Sequence, residues 1–207
     1  MNIYEITCTL TYWNTMKYKK YEYMKTPFVI FDRDGTLIEN IPYLTDHNLI
    51  NFKHDLFPAL NILKSNGFNF GVITNQSVIG RRIASRETVN LINSKISNYL
   101  SSHGIIILFT LICPHNLGDQ CDCRKPKPKL GKIAEKKFGV DLEKSYFVGD
   151  QESDMQFGKK LGCRVVQLNP HLGNSLIADN HSATLTQAAE WIIQDSLEER
   201  SNGNTKP

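Results

Sequence analysis

Apolar residues in this chain fall into short runs that stop abruptly at polar ones. Phe28-Val29-Ile30-Phe31 shows no alternation, which suits a strand covered on both faces, as in a parallel sheet. Segments 68–73, 105–112, 146–148 and 163–168 read as further strands. Between them the period changes to that of helices. Leu56, Ala59, Leu60 and Leu63 recur at helical spacing, with Pro58 tolerable in the first turn and Gly67 as a stop. Ser85 can cap a helix carrying Val89, Ile92 and Ile96, closed by Gly104. Two shorter helices are predicted over 130–138 and 153–161, ended by Gly139 and Gly162, and a last amphipathic one over 183–197. Segment 39–51 reads as a loop or small flap, 76–84 as a loop, and 113–128 as irregular chain rich in Cys, Pro and Lys. Strands alternating with helices predict an α/β fold, a doubly wound parallel sheet, in one domain over 26–197.

The ends fit this pattern poorly. Residues 1–25 carry most of the tyrosines and a basic cluster (Lys17, Lys19, Lys20) without a sustained period, and Met24 stands just before the first strand. They are expected to be an extension, either loosely held or absent if translation begins at Met24. The tail 198–207 is expected to fray.

Composition narrows the setting. A net charge of +3, dispersed along the chain, gives no footprint for nucleic acid. No apolar run approaches the roughly 18 residues of a membrane span, and no secretory signal pattern opens the chain. Five cysteines, three of them alongside a histidine in segment 113–123, favour a metal site in a reducing compartment over disulfides. A cytoplasmic monomer acting on a small molecule is the expectation.

Chemistry gathers where the strands end. The first gives Asp32 and Asp34 followed by Gly35, the second Thr74 and Asn75, and the strand near 148 gives Asp150; Arg124 and Lys125 sit in the irregular loop. The carboxyl ends of strands are where open α/β sheets bind ligands. Paired carboxylates call for a hard cation such as Mg²⁺. A hydroxyl and an amide suit phosphate oxygens, and a lysine suits developing negative charge, so the set reads as machinery for phosphoryl transfer. Cys113, His115, Cys121 and Cys123 supply three thiolates and an imidazole, enough to close a tetrahedral Zn²⁺ site with no open position, hence a structural one.

Asp-x-Asp-Gly-Thr after a strand, Thr-Asn after the next, a later lysine and Gly-Asp-x-x-x-Asp resemble the haloacid dehalogenase superfamily of phosphatases, with its Rossmann-like core. The resemblance implies that Asp32 is the nucleophile, forming an aspartyl-phosphate, and Asp34 the general acid and base. It implies Mg²⁺ held by Asp32, the backbone carbonyl of Asp34, and Asp150, with Thr74 and Lys125 on the phosphoryl group and Asp154 orienting its neighbours. Cys-Pro-His, Cys-Asp-Cys-Arg-Lys-Pro and Asp-Arg-Asp-Gly-Thr together are similar to the branch of D-glycero-D-manno-heptose 1,7-bisphosphate 7-phosphatases and histidinol-phosphate phosphatases. That likeness covers about residues 28–169 and implies a zinc-binding loop and no large cap domain.

Two substrates stay open. Asn75-Gln76-Ser77-Val78-Ile79-Gly80-Arg81 and Tyr43 look like the substrate-contacting segment of the heptose enzymes, while the short gap from His115 to Cys121 looks more like the histidinol enzymes. Arg81, Arg82 and Arg124 could hold a second phosphate, whereas Glu39, Asp46 or Asp119 could face an ammonium. Val78 and Arg82 replace expected glycines, and Gln151 replaces a basic residue. A zinc-stabilised binding module without activity is the non-enzyme alternative, but such a module would be expected to lack Asp32 or Asp34.

Overall fold

The computed structural model describes residues 25–169 and 173–203, so all of the expected extension 1–25 except Lys25 lies outside the described residues. Strands β1 (Phe28–Phe31), β2 (Asn69–Asn75), β3 (Ile107–Cys113), β4 (Tyr146–Gly149), β5 (Arg164–Leu168) and β6 (Asn180–Ser182) form one sheet in the order β3-β2-β1-β4-β5-β6. Every pairing is parallel. Helices α1 (Leu56–Ser65), α2 (Arg86–Ser102), α3 (Lys129–Phe138), α4 (Glu152–Leu161) and α5 (Leu185–Gly203) cover it.

Because side chains alternate along a strand, β1 divides its apolar run between two cores. Val29 and Phe31 pack with the apolar faces of α1, α2 and α5; Phe28 and Ile30 pack with those of α3 and α4. This double burial explains why β1 shows no alternation. Glycines with positive φ follow the helices where expected, with Gly139 at 67° and Gly162 at 84° as left-handed caps. Ser85 caps α2 by accepting the Thr88 N–H at 3.1 Å.

Between β1 and α1 lies only a small flap. An antiparallel bridge between Ile38 and Phe52 closes its base, and the Glu39 N–H donates to the Asn51 carbonyl at 2.7 Å. A one-turn helix, Ser77–Gly80, occupies part of the expected 76–84 loop. No large cap interrupts the described residues.

The C-terminal part of the chain differs most from the sequence reading. The three-residue edge strand β6 is polar (Asn180, His181, Ser182), so no apolar period betrays it. Helix α5 continues to Gly203 rather than ending at 197, because its later turns are tied down by side chains. Arg164 on β5 bridges to Asp195 at 2.6 Å and to Glu199 at 3.3 Å. The expected fray therefore does not begin at Glu198, and residues 204–207 lie outside the described part.

Candidate active site

Strand order reverses at β1, whose neighbours are β2 and β4, and this switch point brings the carboxylates together. Asp32 extends β1 by donating its N–H to the Val148 carbonyl at 2.9 Å, so it leaves the sheet beside the end of β4. Gly35, at φ 81°, allows the following turn to pass close to Asp150; a Cβ there would lie 2.4 Å from Asp150 Oδ2. One oxygen from each of Asp32, Asp150 and Asp154 falls within 4.8 Å of the others.

Lys125 enters this group almost fully buried. Its Nζ donates to Asp32 Oδ1 at 2.8 Å and to the Ile73 carbonyl at 2.9 Å, and pairs with Asp154 Oδ1 at 2.7 Å. Burial works against its charge, but Asp154 and Asp32 outweigh that and raise its pKa. Asn75 clamps the lysine's backbone, accepting from its N–H at 3.0 Å and donating to its carbonyl at 3.3 Å. The Lys125–Pro126 bond is cis.

Three carboxylates face one ammonium. Burial raises the pKa of Asp150, and the nearby Asp32 charge adds to it. Burial likewise pushes Asp154 up to about 7 against the pull of Lys125. Asp150 Oδ1 is buried without a hydrogen-bond partner, while its Oδ2 accepts from Gln151 Nε2 at 2.7 Å. Excess negative charge plus an orphaned carboxylate oxygen fit a hard divalent cation such as Mg²⁺. Asp154 also caps α4, its Oδ2 accepting the Gln151 N–H at 3.1 Å, so it orients the others while contributing to the charge.

Asp34 stands apart from that trio. Its carboxylate turns toward Arg33 and Gln76. Thr74, buried at the end of β2, accepts from Gln76 Nε2 at 2.9 Å. The carboxamides of Asn75 and Gln76, expected to bind substrate, are thus engaged within the protein and position Lys125, Thr74 and Asp34. Arg33 and Asn93 were missed by sequence reasoning. A signal for Asn93 existed, since a polar residue interrupts the apolar stripe Val89, Ile92, Ile96 of α2.

The cysteine loop is a second centre. Cys123 Sγ lies 3.3 Å from Cys113 Sγ and 3.2 Å from His115 Nδ1; Cys113 Sγ lies 3.6 Å from that nitrogen and 3.8 Å from Cys121 Sγ. Zinc–sulfur bonds of about 2.3 Å place tetrahedral sulfurs about 3.8 Å apart, so this near-tetrahedron fits Zn²⁺. A hydrogen bond with Cys123 draws the Cys113 thiol down to about 5, while the same contact pushes Cys123 up. Lys127 donates to the Cys121 carbonyl, Lys129 pairs with Asp122 at 2.6 Å, and Arg124 Nη1 donates to the His115 carbonyl at 3.2 Å.

This loop packs against the turn bearing Arg81. Gly80 donates its N–H to the Pro114 carbonyl at 2.8 Å, and a Cβ on it would come within 2.7 Å of the Asn116 nitrogen. Arg81 Nη1 in turn donates to the Tyr43 hydroxyl at 3.1 Å. Tyr43 and Arg81 are thereby brought together, both exposed, while Ser77 is half-buried at the start of the turn. Of the acidic residues considered for an ammonium, Glu39 pairs with Lys53 at 2.7 Å, Asp46 caps a short turn and Asp119 accepts from the Asn116 N–H. No helix among the described residues is long and apolar enough to cross a membrane.

Comparison with known proteins agrees with this geometry. A family model described as HAD-hydrolase-like matches residues 122–169. The histidine biosynthesis bifunctional protein HisB of Buchnera aphidicola subsp. Schizaphis graminum is 39% identical over 147 residues, covering 70% of this chain and 41% of that protein. HisB of Campylobacter jejuni subsp. jejuni serotype O:23/36 is 35% identical over 144 residues, covering 68% and 41%. The chain therefore spans less than half the length of these curated relatives. Among solved structures, a D,D-heptose 1,7-bisphosphate phosphatase from B. bronchiseptica, complexed with magnesium and phosphate, superposes with a TM-score of 0.75 at 24% identity, covering 82% of this chain and 99% of that one. The D,D-heptose 1,7-bisphosphate phosphatase of Burkholderia thailandensis gives 0.61 at 23%, covering 81% and 99%. Sheet order, the carboxylates of the switch point and these likenesses converge: the chain has the haloacid dehalogenase-like fold, and its residues 122–169 match that family's model.

Proposed function

We propose that the protein is a Mg²⁺-dependent phosphatase that hydrolyses a small phosphomonoester through an aspartyl-phosphate on Asp32. The observation that carries this is the pairing of Asp32 with buried Lys125 beside Asp150, whose Oδ1 has no partner. Asp32, Asp150 and the backbone carbonyl of Asp34 would hold Mg²⁺, which when bound supplies the positive charge that lets a carboxylate approach a phosphate dianion.

The chain's own residues account for the rest. Lys125 holds Asp32 in place and, with the Thr74 hydroxyl, faces the negative charge of the transferring group. An Asp32 oxygen forms a bond to phosphorus as the ester P–O bond breaks. Asp34 gives its proton to the departing alkoxide. Asp34 then takes a proton from water as the water oxygen attacks phosphorus, the acyl-phosphate bond breaks, and Asp32 and inorganic phosphate are released.

For the substrate, a heptose 1,7-bisphosphate comes first. Arg81 and Arg124 offer cations away from the lysine, and the three acidic candidates for an ammonium are engaged elsewhere. Histidinol phosphate is the second reading, favoured by the 39% identity to HisB. Zn²⁺ would be structural, stiffening the wall that carries Arg81 and Arg124. A phosphate-release screen with both substrates and other sugar phosphates, with and without Mg²⁺, tests this. Mg²⁺-dependent release that is lost in Asp32→Asn is expected. Release that persists in Asp32→Asn would overturn the covalent route, and none from any monoester would favour a binding module.

A further inference from the structure

Arg33 is 2% exposed and is the largest side chain wholly enclosed in the described core. Buried guanidinium groups must be paired, and this one has a specific set of partners. Its Nε donates to Asp34 Oδ2 at 3.1 Å and its Nη2 to Asp34 Oδ1 at 3.0 Å, a two-pronged grip on one carboxylate. Nη2 also donates to Gln76 Oε1 at 2.9 Å. On the far side, Nη1 donates to Oδ1 of Asn93, itself buried on α2, at 2.8 Å. Gln76 Nε2 completes the circuit, reaching Asp34 Oδ2 at 2.8 Å and Thr74 Oγ1 at 2.9 Å.

We propose that Asn93, Arg33 and Gln76 form a positioning relay that holds Asp34 for proton transfer, with Gln76 tying that placement to the phosphate-facing hydroxyl of Thr74. This rests on the aspartyl-phosphate reading above and assigns roles to residues that touch no reacting atom. An arginine fork sets both the plane and the direction of a carboxylate, which the point charge of lysine does not. Asn93 anchors that fork from the helix layer, 60 residues along the chain. Because Gln76 is shared, a shift of the Thr74 hydroxyl toward a phosphate oxygen is felt at the proton donor.

The relay predicts a dependence on the leaving group. Protonation matters for an alkoxide and little for p-nitrophenolate, so kcat/KM is compared for a sugar phosphate and for p-nitrophenyl phosphate, with Mg²⁺ present. Asn93→Leu and Arg33→Lys should lower the sugar-phosphate value about 10- to 100-fold, the scale of a misplaced catalytic group, and the ratio of the two substrates about tenfold. In an Asp34→Asn background, Asn93→Leu should add less than about a twofold loss, since residues acting through one group are not additive. Thermal melting identifies variants that fold; should Arg33→Lys fail to fold, Asn93→Leu decides alone. Equal losses on both substrates, additive with Asp34→Asn, would overturn the relay and leave Asn93 and Arg33 as packing. Absence of release from either substrate by the wild-type protein would overturn the phosphatase reading and the relay together.

Discussion

Asn75 holds Lys125 by the backbone rather than by the charge: its Oδ1 accepts the lysine's N–H at 3.0 Å and its Nδ2 donates to the lysine's carbonyl at 3.3 Å. The two residues lie 50 positions apart, one at the end of β2 and one in the cysteine loop. The clamp therefore decides where the ammonium emerges relative to Asp32. Replacing Asn75 with Leu removes both bonds while keeping the branched shape of the side chain. Turnover of p-nitrophenyl phosphate should fall about 10- to 100-fold, as for a catalytic group displaced by about 1 Å. A loss confined to KM would instead assign Asn75 to substrate binding.

Metal-free protein should become less stable as pH rises. Burial raises both Asp150 and Asp154 above the ordinary carboxylate value of 3.8, Asp154 to about 7. An acid whose folded pKa exceeds its unfolded one carries more protons when folded, so its contribution to stability is present at low pH. That contribution is lost as pH climbs from about 4 through about 7. Lys125 stays charged across this window, its own pKa being raised. Mg²⁺ favours the ionised carboxylates, so the stabilisation it confers should grow between pH 5 and 7.5. Melting curves with Mg²⁺ and with EDTA check this; a stabilisation that shrinks with pH would contradict it.

The cysteine centre should carry about one zinc per chain by elemental analysis. Structural zinc contributes about 10–16 kcal/mol of apparent binding energy in small sites, well above the net stability of a typical domain. Cys123→Ser should therefore depress the melting temperature more than it alters the chemistry at phosphate. Gly80→Ala probes the link to the active-site wall, since its methyl would press on the backbone at Pro114 and Asn116. It should raise KM with little change in zinc content. Zinc-free protein of unchanged stability would show that the centre is misread.

Much of this was legible because burial and chemistry coincide along the chain. The run from Phe28 to Phe31 without alternation gave away a central strand, and the abrupt change to Asp32 marked the end at which the carboxylates gather. Segment 113–123 stands out by residue type alone as a set of metal-ligating side chains, and the fold draws all four of them together. What stayed hidden depends on contacts distant in sequence. Nothing local to the chain marks Arg33 as a buried charge; its partner Asn93 arrives on α2, far along the sequence. Gln76 reads from the sequence as part of a substrate-contacting segment; that its carboxamide spans Thr74 and Asp34 is seen only in the fold. The edge strand β6 has too few residues, all polar, to show a period.

Specificity turns on the second cationic region. Arg81 donates to the Tyr43 hydroxyl, and its guanidinium carbon lies 5.5 Å from the Tyr43 ring centroid. Tyr43 sits at φ 54°, a left-handed conformation uncommon for a bulky residue, such as is retained where a side chain must be aimed. Arg124 commits one nitrogen to the His115 carbonyl. A guanidinium has five N–H donors, so both arginines have others to offer. Lys125, adjacent in sequence to Arg124, points instead to Asp32. If the substrate carries a second phosphate, Arg81→Ala and Arg124→Ala should each lower kcat/KM by about 1.5–3 kcal/mol, the scale of a charge-assisted hydrogen bond. The loss should be far smaller for a monophosphate of the same sugar. Lys125→Ala should damage both substrates alike, because it acts at the phosphoryl group they share. Tyr43→Phe, which keeps the ring but removes the hydroxyl, should weaken bisphosphate binding less than Arg81→Ala does. Arginine variants that treat bisphosphate and monophosphate equally would exclude the bisphosphate and turn the assignment to histidinol phosphate.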